Sequence, residues 1–505
     1  MRKVKEHSPL FRFQGCGLCP TREELVHGLR VIPESIGGLI LLEADAVVIG
    51  GGPAGYVAAI RLGQLRKKTV LIERENLGGV CLNYGCIPVK VFVIAADMFW
   101  RTRKLDRLGI KAQGLSIELK QLQDWKRKTI AKLRDGIAYL LKGNGVQTIK
   151  GFAKLRSAKE VEIRTEASWT TIKAKNVLWA VGAEDAGLPD MPYDGRRIIS
   201  SKELLDMEAL PKSMLVVGGG AVGLELGTSF AKMGTKVIVV EIMDQLLPGI
   251  SKDVVAVVHR NLKRLGVEVH TSSRVSAYRY GDEHVSVDVI RNGETLSFNV
   301  EYVLVTVGKR APSQNYELKE LGVELNRNGF VVVDSNMRTS ADGIFAAGDA
   351  TGPPFLAHRA SRQGLIAAET MAGQKTSTRL PPVPLALFTD PEVAVVGMSE
   401  EEAKASGIEV AVGKFPLTAL GRANVSDETD GFIKVVADKS SGKLLGIQIV
   451  GRGATDLIGE AALAVSMGMT VDDLDNVIHP HPTFSEAIGE AAGAVNKKAI
   501  HMLNI

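Results

Sequence analysis

A chain of 505 residues in which 45% are apolar has room for about three or four domains with sizeable cores. Its charge is nearly balanced, 62 basic against 57 acidic residues for a net +5. With aromatic residues at 5% and no concentrated basic tract, it carries no footprint for nucleic acid. The longest apolar candidate, residues 36–49, is interrupted by Glu43 and Asp45 and is too short to cross a bilayer, so it reads as a buried strand.

Residues 1–43 are expected to form a poorly ordered extension. They hold Cys16 and Cys19, but a metal site wants about four ligands and the other two cysteines are placed elsewhere, so no metal is expected. Glu6, Glu23, Glu24 and Glu34 argue against a transit peptide. A strand over 44–49 then runs into Gly50, Gly52 and Gly55, a helix follows over 56–65, and a second strand from Thr69 closes on Glu73. This is a βαβ unit with a G-x-G-x-x-G turn.

Beyond it comes Cys81-Leu82-Asn83-Tyr84-Gly85-Cys86. Five helical steps rise about 7.5 Å, farther than the roughly 6.8 Å that disulfide α-carbons tolerate, so a regular helix cannot bridge this pair. Gly78, Gly79 and Gly85 give the backbone freedom for a distorted turn in which the sulfurs meet. Such a bridge should be easily reduced, as catalytic disulfides in reducing compartments are. The bland alternative is two small buried side chains that never pair. The amphipathic stretch 119–141, with Lys126, Arg127, Lys128, Lys132 and Arg134, predicts a helix with a solvated basic face.

The first pattern then repeats. A strand over 214–217 enters Gly218, Gly220 and Gly223, a helix runs to Met233, and a strand over 235–240 closes on Glu241 at the same spacing that separates Glu73 from Gly50. Two matching copies are far more specific than one. Their glycines let backbone approach a pyrophosphate at a helix N-terminus, and each terminal carboxylate can accept from ribose hydroxyls. Glu241 would repel a 2′-phosphate and no arginine stands among residues 242–245, which favours NAD over NADP.

The cysteine segment through Lys90, both glycine motifs, Ala346-Ala347-Gly348-Asp349-Ala350-Thr351-Gly352, the run 388–397, and His479-Pro480-His481-Pro482-Thr483-Phe484-Ser485-Glu486 resemble the pyridine nucleotide-disulfide oxidoreductases over about residues 45–504. Within that family the likeness is greatest to members that act on lipoamide. The resemblance implies an α/β fold: two Rossmann-like dinucleotide-binding domains, for FAD (44–182) and NAD (183–307), a central domain (308–379) completing the FAD site, and a C-terminal α+β dimerisation domain (380–505).

It further implies that Gly50, Gly52, Gly55, Glu73, Lys90, Gly151, Asp349, Leu356, Ala357 and His358 hold FAD, and that Gly218, Gly220, Gly223, Glu241, Val275 and Gly308 hold NAD. Cys81 and Cys86 would form the redox disulfide, Cys81 facing substrate and Cys86 the flavin. His481 would be the acid–base group, acting on the disulfide of the other subunit of a homodimer. Glu486 has two readings, an imidazole-orienting carboxylate or the return half of a capping box begun by Thr483. The implied reaction is oxidation of dihydrolipoamide, free or as a lipoyl group carried by a 2-oxoacid dehydrogenase complex or glycine-cleavage protein, in the cytoplasm and without membrane contact. The alternatives are an NADH-dependent reductase of another small disulfide and a redox-inactive FAD-binding interaction protein. The chain departs from the family at Val89, Val181 and Ser361-Arg362-Gln363.

Overall fold

The computed structural model of the chain describes residues 42–312, 314–375 and 380–504; the expected extension with Cys16 and Cys19 lies outside the described residues. Strand β1 (Leu42–Ile49) begins slightly ahead of its apolar run because Leu42 and Glu43 already pair with Ile172 and Lys173. After α1 (Pro53–Gln64) come β2 (Thr69–Glu73), α2 (Gly79–Asn83), α3 (Cys86–Thr102), α4 (Leu119–Gly143), β3 (Gln147–Lys150), β4 (Phe152–Ser157), β5 (Glu160–Arg164) and β6 (Trp169–Trp179). Ala46, Val47, Val48 and Ile49 are all buried, as a parallel strand covered on both faces requires.

The basic face of α4 is not simply solvated. Lys126 is buried and its ammonium lies 2.7 Å from Asp206 and 2.6 Å from the Leu205 carbonyl, while Arg134 donates to Asn83. Trp125 and Tyr139 are exposed instead. Arg127, Lys128 and Lys132 are exposed as expected, while the stems of Lys126 and Arg134 reach partners at the protein side.

The second unit contains β7 (Ile198–Ile199), β8 (Ser213–Val217), α5 (Ala221–Met233), β9 (Lys236–Val240), β10 (Glu268–His270), the antiparallel strands β11 (Ser273–Tyr280), β12 (Val285–Arg291) and β13 (Glu294–Val300), and β14 (Tyr302–Val305). Its parallel sheet has the order β10-β9-β8-β14-β7. The chain then returns to the first sheet. Strand β15 (Ile344–Ala346) pairs in parallel with the end of β6, giving a seven-stranded sheet whose parallel part runs β3-β2-β1-β6-β15 and whose antiparallel part, β5 and β4, hangs from the start of β6. The second dinucleotide unit is therefore an insertion within the first.

Helix α6 (Ala357–Met371) lies on α1, so closely that a Cβ at Gly364 would sit 2.3 Å from the Ala54 carbonyl oxygen. The C-terminal part is an antiparallel sheet of order β16 (Leu385–Leu387), β17 (Val393–Gly397), β20 (Leu444–Val450), β19 (Phe432–Asp438), β18 (Val410–Pro416), with α7 (Ala454–Met467) and α8 (Glu486–Val495) sharing its core. Among the described residues, one helical stretch, Gly79–Thr102, is long and apolar enough to cross a membrane. It is broken between α2 and α3, and Phe92 of α3 stacks on Phe230 of α5 at 5.7 Å inside the core.

Candidate active site

Cys81 sits in α2 and Cys86 is the first residue of α3. Between them Tyr84 (φ −137°, ψ 0°) and Gly85 (φ −130°, ψ −108°) leave helical geometry, which brings the sulfurs within hydrogen-bonding reach of each other. The hydrogen bond from Cys81 lowers Cys86 to about 7; the Lys90 ammonium and the first N–H of α3 assist, opposed by desolvation of the sulfur, although the residue as a whole is exposed, and by the Glu225 carboxylate. The same hydrogen bond and burial push Cys81 strongly up. The hydrogen-bonded pair thus favours a thiolate at Cys86 over one at Cys81.

Lys90, one turn into α3, reaches across to the second dinucleotide unit. Its ammonium lies 2.7 Å from Glu225 of α5 and 4.4 Å from the centre of the Phe388 ring, and the other Glu225 oxygen accepts the Phe388 N–H at 2.9 Å. Glu225 is buried, so the pair joins three parts of the fold beside the cysteines. Nothing in the apolar run of α5 singled out this acid, since an isolated glutamate in a helix usually faces water.

The two glycine turns have the same internal logic. A Cβ at Gly55 would lie 1.8 Å from the Gly50 carbonyl oxygen, and one at Gly223 would lie 2.2 Å from that of Gly218. Gly50 (φ +102°) and Gly218 (φ +106°) hold a conformation that favours glycine. The middle glycines differ: Gly52 and Gly220 have ordinary φ, and an added Cβ would meet its nearest protein atom at 3.9 Å at Gly52 and nothing within 4 Å at Gly220. The polypeptide does not require glycine there, whereas a pyrophosphate seated on the N-terminus of α1 or α5 would.

The terminal acids repeat the match. Glu73 accepts from Gly51 N–H at 2.6 Å and Glu75 N–H at 2.7 Å; Glu241 accepts from Gly219 N–H at 2.6 Å and Met243 N–H at 2.8 Å. Each carboxylate is locked to the centre of its glycine turn. Glu73 also borders a cavity of about 250 Å³ with Leu77, Arg134 and Lys150. Gly151 lies beside it, its N–H donating to the Glu73 carbonyl at 2.9 Å.

Asp349 follows β15 at the start of a short 3-10 turn, half-buried, and burial pushes its carboxyl up against the opposing pull of Lys309 and Arg359. Its backbone carbonyl accepts the Gly352 N–H at 3.1 Å, but among the described residues no hydrogen-bond donor reaches its carboxyl oxygens, which suits a polyol such as the ribityl chain of FAD. The loop before it is pinned by Gln363, whose oxygen accepts Gly348 N–H at 2.8 Å. Leu356 caps α6, Ala357 begins it, and His358 reaches the Pro384 carbonyl at 2.7 Å. In the second unit Val275 sits at a bulge in β11, and Gly308 (φ +114°) accepts Ala186 N–H through its carbonyl at 3.0 Å. Val89 is packed in the core beside Phe92, Val181 is half-buried, and Arg362 is half-buried on α6.

At the far end of the sequence, His481 Nδ1 lies 2.7 Å from Glu486 Oε1, and Thr483 N–H donates to Glu486 Oε2 at 2.7 Å. Both readings of Glu486 are realised in part. The capping box is incomplete, because Ser485 precedes the helix and the Thr483 hydroxyl donates to the Pro480 carbonyl. Among the described residues no hydrogen bond or ion pair joins the exposed His481 to α2 or α3 of its own chain.

Residues 44–364 match the family description of pyridine nucleotide-disulphide oxidoreductases, and residues 383–492 match that of their dimerisation domain. The chain is 40% identical over 466 residues to the dihydrolipoyl dehydrogenase of Geobacillus stearothermophilus, covering 92% of this chain and 99% of that one. It is 41% identical over 462 residues to the Thermus scotoductus enzyme of the same name, covering 91% and 99%. The crystal structure of LpdA from Mycobacterium tuberculosis superposes with a TM-score of 0.83 at 30% identity, covering 90% of this chain and 99% of that one. With its duplicated dinucleotide turns, its cysteine pair and a dimerisation domain, this chain belongs to the pyridine nucleotide-disulphide oxidoreductase family.

Proposed function

We propose that this chain oxidises dihydrolipoamide to lipoamide with NAD, as a homodimeric FAD enzyme. The observation that carries the reading is the division of one cysteine pair into a depressed Cys86 and a raised Cys81 at the head of α3, next to the Lys90–Glu225 pair. Gly50, Gly52, Gly55, Glu73, Gly151, Lys90, Asp349 and the start of α6 are proposed to hold FAD. Gly218, Gly220, Gly223, Glu241, Val275 and Gly308 are proposed to hold NAD.

His481, oriented by Glu486, takes the proton of a substrate thiol, and the imidazolium is stabilised by the carboxylate beside it. The substrate thiolate attacks Cys81; the Cys81–Cys86 bond breaks and Cys86 leaves as the thiolate that Lys90 and the helix start favour. The second substrate sulfur attacks the mixed disulfide and closes lipoamide; the electron pair of the broken bond returns to Cys81, which takes up that thiol's proton and leaves as a thiol. FAD, when bound, supplies a two-electron acceptor between thiol and nicotinamide chemistry. Because, among the described residues, the exposed His481 pairs with Glu486 and not with Cys81 or Cys86, the acid–base group is proposed to serve the partner's disulfide. The cytoplasm, a reducing compartment, suits a disulfide that must open in every turnover. The lipoyl carrier is proposed to be a 2-oxoacid dehydrogenase or glycine-cleavage component.

The test is NADH-dependent turnover of lipoamide beside glutathione disulfide and coenzyme A disulfide, on purified flavoprotein. Preference for lipoamide, lost on Cys81→Ser or Cys86→Ser, is the expected result; preference for another disulfide overturns the substrate.

A further inference from the structure

Helix α3 carries Cys86 at its first position, and α5 carries Gly220 immediately before its first. The two lie side by side and run the same way. Lys90 meets Glu225 at 2.7 Å and, about two turns further on, Asp97 meets Lys232 at 2.9 Å; each pair is separated by 135 residues in sequence. Between them Phe92 and Phe230 stack with an interplanar angle of 11°. The polarity reverses along the seam: α3 supplies the cation near Cys86 and the anion at its other end. A slide of two turns in one direction would set Asp97 against Glu225, and in the other Lys90 against Lys232. Charge therefore specifies one alignment and penalises its neighbours.

Lys232 is the centre of the distal end. Its side chain is only 6% exposed, and besides Asp97 it holds Asp390 of the segment joining β16 to β17 at 2.7 Å. Asp97 is also held by Arg101 at 2.7 Å and by Arg452, after β20, at 3.2 Å, and Glu428 pairs with both arginines. Both dinucleotide units and the C-terminal sheet are tied together through one buried ammonium. Removing that charge would leave Asp97 and Asp390 facing each other across the junction.

We propose that Lys232 is a positioning residue of the redox relay: by bridging Asp97 and Asp390 it fixes the register of the Cys86 helix on the nucleotide-binding helix α5, and so the place of Cys86 between substrate and flavin. This deepens the function proposed above and relies on it only for Cys86 as the flavin-facing sulfur. Among the described residues the hydrogen bonds and ion pairs of Lys232 run to Asp97 and Asp390 and not to Cys81, Cys86 or the glycine turn, so its effect is transmitted through α3.

The experiment compares Lys232→Met, Lys232→Arg and the parent as purified flavoproteins of equal flavin content. The readouts are the long-wavelength thiolate-to-flavin absorbance on two-electron reduction, the KM for NAD and kcat with dihydrolipoamide, and the thermal midpoint. Lys232→Met is expected to lose about half or more of the long-wavelength band and about ten-fold in kcat, with KM for NAD changed less than about two-fold, because a small misplacement of reacting groups is costly while the α5 turn is untouched. Lys232→Arg should restore the band. A Lys232→Met protein with a lower thermal midpoint but an unaltered band overturns the proposal, leaving Lys232 merely structural. If Lys232→Met does not fold, Asp390→Asn carries the same comparison: a weakened band supports the bridge and an unaltered one rejects it. A parent protein that shows the band but does not turn over lipoamide would reject the substrate assignment and leave the positioning claim standing.

Discussion

Glu486 divides its carboxylate between two tasks, holding His481 Nδ1 on one oxygen at 2.7 Å and the Thr483 N–H on the other at 2.7 Å. An amide that accepts the Thr483 N–H turns its NH2 toward Nδ1, where it favours the other tautomer of the ring and gives the imidazolium no stabilisation. Glu486→Gln should lower kcat/KM for dihydrolipoamide by about 100-fold or more while flavin content stays at the parental level. Steady-state kinetics beside flavin absorbance checks this; parental kcat/KM would reduce Glu486 to a capping residue.

The same carboxylate gives a stability profile. Burial pushes Glu486 up, but the Thr483 N–H and His481 outweigh it and hold the group below its ordinary value. A depressed carboxylate contributes stability above its unfolded pKa and loses that contribution as pH falls through the folded value. The difference in thermal midpoint between the parent and Glu486→Gln should be constant above about pH 5 and shrink below about pH 4.

Two substitutions around Cys86 should act in opposite directions. Lys90 pulls the thiol down and Glu225 pushes it up, so Lys90→Met should raise the pH at which Cys86 becomes alkylable above its value of about 7, and Glu225→Gln should lower it. Lys90→Met also leaves Glu225 buried without its cation, a loss of about 3–5 kcal/mol, whereas Glu225→Gln leaves a more exposed ammonium and costs less. Iodoacetamide kinetics against pH, with urea unfolding, reads both; shifts of the same sign would contradict the electrostatic assignment.

Cys81 supplies the largest stabilisation of the Cys86 thiolate, as a hydrogen-bond donor. Cys81→Ser retains a donor and Cys81→Ala does not. The alkylation midpoint of Cys86 should therefore be higher in the alanine variant than in the serine variant.

The glycine turns separate packing from ligand space. Gly55→Ala and Gly223→Ala drive a methyl into the preceding carbonyl and should yield little folded protein, whereas Gly52→Ala and Gly220→Ala meet no close protein atom. Gly52→Ala is expected to fold and lose flavin. Gly220→Ala should keep its flavin and raise the KM for NAD by about ten-fold or more. A Gly52→Ala protein that retains full flavin on dialysis would disconnect this turn from FAD.

What the sequence disclosed and what it hid divide along a physical line. The glycine turns, Glu73, Glu241 and the need for a break between Cys81 and Cys86 are local: backbone conformation and spacing determine them, and the structure reproduces each in matching form. Glu225, Lys232 and Lys126 were not legible as buried charges, because a helix's own periodicity says which residues share a face but not which distant face will meet them. The pairing of α3 with α5 spans 135 residues and is visible only once both are folded. Strand β15 was hidden for the same reason: three apolar residues acquire meaning from β6, not from their neighbours.

The return of the chain to its first sheet carries a consequence for biosynthesis. Strand β15 and Asp349 leave the ribosome only after the whole inserted unit has been made, so the nascent first unit waits with the end of β6, from Val177 to Trp179, unpaired on one side while β5 already covers its start. The inserted unit, by contrast, is contiguous and can close as soon as β14 emerges, since domains fold as units during synthesis. With Asp349 in its proposed place at the flavin, flavin capture is a late event on the nascent chain, and the inserted unit is in shape before the unit that surrounds it.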